Sequence, residues 1–410
     1  VPSVGASLFW IALCAVIAPL IAGLVPRKLV PEVVLLLIAG IVIGPHVLDL
    51  AVQGPEIGLL RELGLGMLFL LAGYEIDTDE LTGRGGRRAL VTWLVCLALA
   101  FTVIGLLGLT GVINAEVAIA IALTSTALGT LLPILKDSGV IDTRLGRTVL
   151  NHGAVGELGP VVAMAVLLGS RGTVGSLIVL ALFAAAAVGV AFIPATVQRE
   201  GSKVLSIIRL GSETTAQTTV RLTILLLVSL GALASIFDVD GILAAFAAGF
   251  ILRRAFPRGD EKLEAKLDGL AFGLLIPIFF VTSGMSIDVS AVAAHPGVLV
   301  AFFLLILLVR GLPVFVAERF DRGGEGIEPP PAVRERARVA LYAATGLPLI
   351  VAVTEVAVNA GQMTTANASI LVAAGAITVL VLPTAASLLG GSGANEAAAS
   401  LPAGDRPTGH

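Results

Sequence analysis

The segment Phe69-Leu-Leu-Ala-Gly73-Tyr-Glu-Ile76-Asp77 returns, altered but legible, as Phe280-Val-Thr-Ser-Gly284-Met-Ser-Ile287-Asp288. Both close long apolar runs, and the shared Gly-x-x-Ile-Asp ending recurs after 211 residues. Two further pairs keep nearly that interval. Ile38-Ala39-Gly40-Ile41 answers to Ala247-Ala248-Gly249-Phe250 at 209, and Leu123-Thr124-Ser125-Thr126-Ala127 to Ala344-Thr345-Gly346-Leu347-Pro348 at 221. Three matches in one order mark an internal repeat.

The sequence around these segments is apolar. Of 410 residues, 57 % are hydrophobic and only 13 % charged, with a mean hydropathy of +1.00. A soluble domain carries about 25 % charged residues, so the chain reads as an all-α polytopic membrane protein. A net charge of −3 excludes a basic nucleic-acid binder. The two cysteines, Cys14 and Cys96, sit inside apolar runs and supply neither a disulfide framework nor a thiolate metal site.

A bilayer core of about 30 Å takes roughly 20 helical residues. That template predicts thirteen spans, near 6–25, 31–48, 57–76, 88–109, 112–135, 147–168, 173–196, 215–236, 239–255, 269–287, 297–318, 335–358 and 364–389. Residues 390–410, rich in Gly, Ser and Ala, read as a disordered tail. Of the 26 Lys and Arg residues, 21 follow odd-numbered spans, among them Arg27, Lys28, Arg84, Arg87, Arg88, Arg199, Lys203, Arg209, Arg258 and Arg322. Positive charge stays cytoplasmic, which puts the N-terminus outside and the C-terminus, after an odd count, inside. The repeat partners stand seven spans apart, so their orientations are opposite. Inverted repeats are the architecture of secondary transporters, with the site at the midplane between them.

Spans 5 and 12 carry the Thr/Ser/Gly/Pro clusters near their centres. A break at that depth strands backbone polar groups, tolerable only where it lines protein or a watery cavity. Small residues also permit close packing, but corresponding clusters in both repeats favour a pair of broken, crossing helices. Thr124, Ser125 and Thr126 then offer hydroxyls and freed carbonyls, hard ligands suited to Na⁺ or K⁺. Thr345 holds the matching position in the second break.

A charge inside the bilayer costs at least about 2.5 kcal/mol and is a functional candidate. Glu157, mid-span in His152-Gly-Ala-Val-Gly-Glu157-Leu-Gly-Pro160, has no charged neighbour along its own helix. A lone carboxylate there needs neutralising, by a bound proton and a bound cation in turn or by a buried basic side chain. Arg310, in Leu307-Leu-Val-Arg310-Gly-Leu-Pro313, does not deprotonate. It is expected to pair permanently with carbonyls or with Glu157, Glu75 or Glu355, or to repel a second cation. Glu75, Asp77 and Asp288 close spans and read as interfacial caps or ion-funnel residues, and Glu355 lies beyond the second break. His152 is five positions from Glu157, about 140° around the helix, and with Asn151 reads as a core residue rather than a proton relay. No nucleotide-binding, zinc or catalytic-triad motif stands in a suitable context, and no cofactor is indicated.

These segments resemble the monovalent cation/proton antiporter superfamily, and within it the Kef-type sodium(potassium)/proton exchangers. The resemblance is carried by 29–45, 69–77, 122–129, 276–288 and 347–355. It implies a homodimer in a bacterial cytoplasmic membrane, exchanging Na⁺ or K⁺ for H⁺. A transport core of 88–168 and 297–389 would move as an elevator against a dimerisation panel of 6–76 and 215–287, with 173–196 as the linker helix. Glu157 takes the place of the family's essential acid and Arg310 that of its core basic residue. Many relatives carry two adjacent polar or acidic residues where this chain has Gly156-Glu157. The single acid favours one-for-one, electroneutral exchange. The alternative is an organic-solute carrier on the same scaffold, with an organic anion at Arg310.

Overall fold

Prolines, glycines and short hydroxyl residues decide where the helices of this chain start, bend and stop. The computed structural model describes residues 2–24, 30–76, 83–109, 115–137, 139–168, 217–237, 239–256, 259–321 and 330–390, with 175, 178 and 180–185 between. The expected seventh span (173–196) falls mostly outside the described residues. So do Asp77, the basic residues Arg27, Lys28, Arg199, Lys203, Arg209, Arg258 and Arg322, and the tail beyond 390.

The described elements are helical: α1 Val4–Leu24, α2 Glu32–Ile43, α3 Pro55–Glu75, α4 Arg84–Gly108, α5 Glu116–Leu123, α6 Leu128–Asp137 and α7 Arg144–Leu167. They continue as α8 Thr218–Phe237, α9 Gly241–Ala255, α10 Glu261–Met285, α11 Val289–Ala294, α12 Pro296–Phe320, α13 Val333–Ala343, α14 Leu347–Asn359 and α15 Thr365–Leu389. Among the described residues, nine helices are long and apolar enough to cross a membrane, counting α13 and α14 as one. α2, α9 and the pair α5–α6 are shorter helices at three further expected positions. Side-chain caps set several starts. Thr143 accepts from Gly146 N–H at α7, Asp240 from Ile242 N–H at α9, and Thr364 from Asn367 N–H at α15, each satisfying a donor the helix itself cannot. Asp288 caps α11 through Ser290 and Ala291, and these bonds hold its exposed carboxyl below the usual range.

The first break separates α5 from α6 at Thr124–Ala127, and the second separates α13 from α14 at Ala344–Gly346. The Thr124 and Ser125 hydroxyls donate back to Ile121 O (2.8 Å) and Ala122 O (2.7 Å), and the Thr345 hydroxyl to Tyr342 O. Those bonds satisfy carbonyls that lose their helical partners. Where the breaks cross, Ala127 N–H donates to Thr345 O at 2.8 Å and the Thr126 hydroxyl donates to Ala343 O. Gly346 is required by proximity: a Cβ there would strike the Ser125 hydroxyl and carbonyl.

α10 and α12 each contain one wide π-turn, at Ala271–Leu275 and Leu307–Gly311. Pro277 and Pro313 follow two residues later, and the widened turn accommodates a ring that clashes with the carbonyl four residues back.

Helices α2 and α3 lie against α10 and α9, and their contacts obey the sequence repeat. A Cβ on Gly40 would meet the Val281 carbonyl, and one on Gly284 the Leu37 carbonyl. The offsets of 209 and 211 carry those partners onto Gly249 with Leu70 and Gly73 with Phe246, which are the other pair of collisions. Around these crossings α1–α3 pack with α8–α10, while α4–α7 pack with α12–α15; the contacts joining the two groups are sparse. α1, α4 and α8 turn large apolar side chains outward, including Phe9, Leu106 and Leu225. An apolar face of that extent suits lipid, and the chain is an integral membrane protein.

Candidate functional site

Arg310 is the largest fully buried side chain among the described residues, at 0 % exposure, and the π-turn of α12 delivers it to the crossing. Its Nε donates to the Thr126 hydroxyl at 3.0 Å, Nη2 to the His152 carbonyl at 2.7 Å, and Nη1 faces the Cys96 sulfur at 3.8 Å. Of the expected alternatives, a carbonyl and not a carboxylate is the partner in place. Carbonyl, hydroxyl and thiol groups seat the guanidinium, and no ion pair joins it to a described residue. Thr126 relays the contact, because its hydroxyl accepts from Arg310 and donates to Ala343 O in the second break. Its amide donates to Gly156 O at 2.9 Å.

Gly156 explains how the arginine fits. A Cβ at 156 would strike Arg310 Nη2 and lie 2.6 Å from the Thr126 hydroxyl oxygen. The space a side chain at 156 would take, beside Glu157, is thus occupied by the guanidinium.

Glu157 follows on α7 and is 5 % exposed. The Leu128 amide, first in α6, faces its carboxylate, while Oε2 is buried and has no hydrogen-bond partner among the described residues. A cavity of about 430 Å³ reaches it, lined also by Glu75, Thr130, Gly129, Glu32 and Pro348. At about 30 Å³ per water, the cavity has room for a partly hydrated cation. Its other wall is built by the C-terminal ends of α1 and α3 and the N-terminal end of α2.

The remaining expected residues divide. Ser125, Thr124 and Thr345 are buried at the crossing, with their hydroxyls turned to backbone carbonyls. Glu75, expected at an interface, lines the cavity with Glu157. His152 does not: its Nε2 meets Glu318 Oε1 at 2.9 Å on the other side of α7. Asn151 abuts Gly85 at the start of α4. Glu355 pairs with Arg61 of α3 at 2.9 Å and not with Arg310, since the second half of α14 carries it away from the crossing.

Sequence reasoning missed Glu318 and Asp321, which gather Arg88 and Arg144 as well as His152 into one ionic cluster. Glu318 in the last turn of α12 and Asp321 just after it looked like ordinary cytoplasmic charge, and only tertiary contact with α4 and α7 reveals their partners. Thr130 was missed for a similar reason, being one helical turn beyond the break. Among the described residues no three His, Cys, Asp or Glu side chains converge as a metal cluster.

Residues 12–389 match the family described as sodium/hydrogen exchanger, transmembrane. Among curated relatives, the Na(+)/H(+)-K(+) antiporter GerN of Bacillus cereus is 25 % identical over 307 residues, covering 74 % of this chain and 77 % of GerN. The glutathione-regulated potassium-efflux system protein KefC of Klebsiella pneumoniae is 27 % identical over 312 residues, 74 % of this chain and 48 % of KefC. The Bacillus subtilis protein YjbQ, provisionally named an Na(+)/H(+) antiporter, is 28 % identical over 68 % of this chain, which spans 47 % of its length. In fold, the chain is similar to the sodium proton antiporter MjNhaP1 of Methanocaldococcus jannaschii, with a TM-score of 0.64, 20 % identity, and coverage of 96 % of this chain and 98 % of the other.

Proposed function

Because the chain belongs to the sodium/hydrogen exchanger, transmembrane family, we propose that it is a secondary transporter exchanging a monovalent cation, Na⁺ or K⁺, for protons. The observation that carries this reading is Glu157, a buried carboxylate with one oxygen unpartnered among the described residues, lining a cavity beside the crossed breaks. A bound cation or a bound proton each neutralises it, and the two exclude one another, which is the chemical condition for coupled exchange. Thr130 lines the same cavity, Thr124, Ser125 and Thr126 build the break beside it with their hydroxyls turned to backbone carbonyls, and Arg310 holds the breaks in register as a fixed charge.

We read exchange as an elevator movement of 88–168 and 297–389 against 6–76 and 215–287, with 173–196 as linker. Sparse packing between the two helix groups supports it. One-for-one, electroneutral exchange follows from the single acid on α7, with Gly156 giving its space to Arg310. Thirteen spans with the N-terminus outside and the C-terminus inside are supported by the placement of 21 of the 26 basic residues. The resemblance supports a homodimer in a bacterial cytoplasmic membrane. An organic anion at Arg310 is not favoured, since its nitrogens are turned to Thr126, His152 and Cys96 and the side chain is fully buried.

In proteoliposomes under an imposed pH gradient, added Na⁺ or K⁺ should drive proton flux, and Glu157→Gln should abolish it. Undiminished flux in that variant removes Glu157 from the mechanism. A steady-state ion gradient that shifts with membrane potential contradicts electroneutrality.

A further inference from the structure

We infer that the outward face of α12 and the start of α13 form a site for an anionic phospholipid. An acyl chain lies along an apolar stripe, and the phosphate meets Arg319, Arg334 and Arg336.

The stripe supplies the first observation. Val300, Leu304, Leu308, Leu312, Val316 and Phe320 recur every fourth residue along α12 and are 45–71 % exposed. Side chains four apart share a helix face, and the opposite face, with Phe302, Ile306, Arg310, Val314 and Glu318, is buried. From Val300 to Phe320 the helix rises about 30 Å, the depth of the hydrocarbon core of a bilayer. Arg319 and Phe320 therefore stand at the headgroup layer, where the stripe ends.

The second observation is the set of cations gathered there. Arg319 is exposed at the end of α12, and α13 packs against that helix with Arg334 exposed at its second position. Arg336 lies over the Phe315 ring, its guanidinium carbon 4.9 Å from the centroid, and its Nε is buried with no hydrogen-bond partner among the described residues. The three arginines form no ion pair with a described acid, because the acids of this corner are engaged. Glu318 meets His152, Asp321 holds Arg88 and Arg144, and Glu335 accepts from the Ala332 amide at 3.2 Å. Arg334 and Arg336 also open α13, where the positive end of the helix disfavours further cations. A phosphate offsets both effects, and the guanidinium fork matches its oxygens.

Charge and apolar length together select a lipid. Basic clusters at a membrane surface draw anionic headgroups, while a soluble anion would make no use of the stripe. The site stands apart from the cavity and the crossed breaks, so the inference holds independently of ion exchange.

The test titrates the full chain in detergent with dioleoyl phosphatidylglycerol and follows its melting temperature. A saturable rise is expected, which neither phosphatidylcholine nor inorganic phosphate reproduces. Arg319→Ala with Arg334→Ala should raise the half-saturating lipid concentration about tenfold. Leu312→Ser with Val316→Ser leaves every charge in place and should weaken the response as well. Arg221→Ala with Arg254→Ala removes two exposed charges from the other helix group and should shift it by less than about twofold. Equal losses in the two arginine pairs mean diffuse attraction, and competition by inorganic phosphate means a small-anion site; either overturns the inference, as does an unshifted titration. Stability that rises with protein concentration and not with phosphatidylglycerol would place a second copy on the stripe and overturn it too. Should the paired arginine variant not fold, Arg334→Gln changes one exposed side chain; a weaker response supports the inference and an unchanged one overturns it.

Discussion

A glycine and an arginine define the centre of this molecule at the residue scale. Arginine remains charged at any accessible pH, so burying Arg310 completely demands partners for its donors, and carbonyl, hydroxyl and thiol provide them. Gly156 makes the room. Gly156→Ala should force the guanidinium off the His152 carbonyl, lowering stability by about 1–3 kcal/mol as other overpacked sites do. Thermal melting in detergent measures the cost, and an unchanged melting temperature would mean the arginine has slack. Transport should fall with it, since Thr126 is held by the same guanidinium. The importance of Glu157 and Arg310 was legible from sequence because charge is rare at that depth. The seat of Arg310 was not, because His152 O and Cys96 lie 158 and 214 positions away along the chain.

At the scale of elements, two pairs of glycines let helices touch backbone to backbone. Gly40 and Gly284 join α2 to α10, and Gly73 and Gly249 join α3 to α9. Both contacts bring a carbonyl against a Cα, so an added methyl must move a helix and not merely a side chain. Alanine at either member of a pair should lower the melting temperature, and alanine at both should cost less than the sum, since one displacement accommodates two methyls. The matched pair from the other repeat should show similar losses. Strict additivity within each pair would indicate that the two collisions are relieved separately. The repeat was visible in the sequence through these same glycines, but not that each glycine of the first copy packs on the second copy, Gly40 on Gly284 and Gly73 on Gly249. That pairing is a property of a two-fold arrangement in space and has no expression along one chain.

Across the whole molecule, the ion pair Arg61–Glu355 links the two helix groups, with Asp240 and Glu62 near the same carboxylate. It ties α3 to α14, and so one helix group to the other, through side chains that are 18 % and 15 % exposed. Arg61 lies near the start of α3, the end opposite Glu75 and the cavity mouth. Removing one partner from such a pair leaves a poorly hydrated charge, and buried pairs broken in this way lose about 3–5 kcal/mol. Arg61→Ala should therefore melt well below the parent protein, and Arg61→Ala with Glu355→Ala should recover much of the loss. If the double variant is as unstable as the single one, the damage lies in packing and not in charge.

Hydropathy, the run of basic residues and the internal repeat already determined an all-helical membrane protein, its two central breaks and its one deep acid, because each is written in local composition or spacing. Which groups meet at the centre was decided only by the tertiary structure. Glu75 reads from sequence as the end of a span, yet it shares a cavity with Glu157, while Glu355 reads as a core acid and answers to Arg61. Pairing depends on how helices cross and which face each turns inward, and crossing geometry is set by contacts between residues hundreds of positions apart.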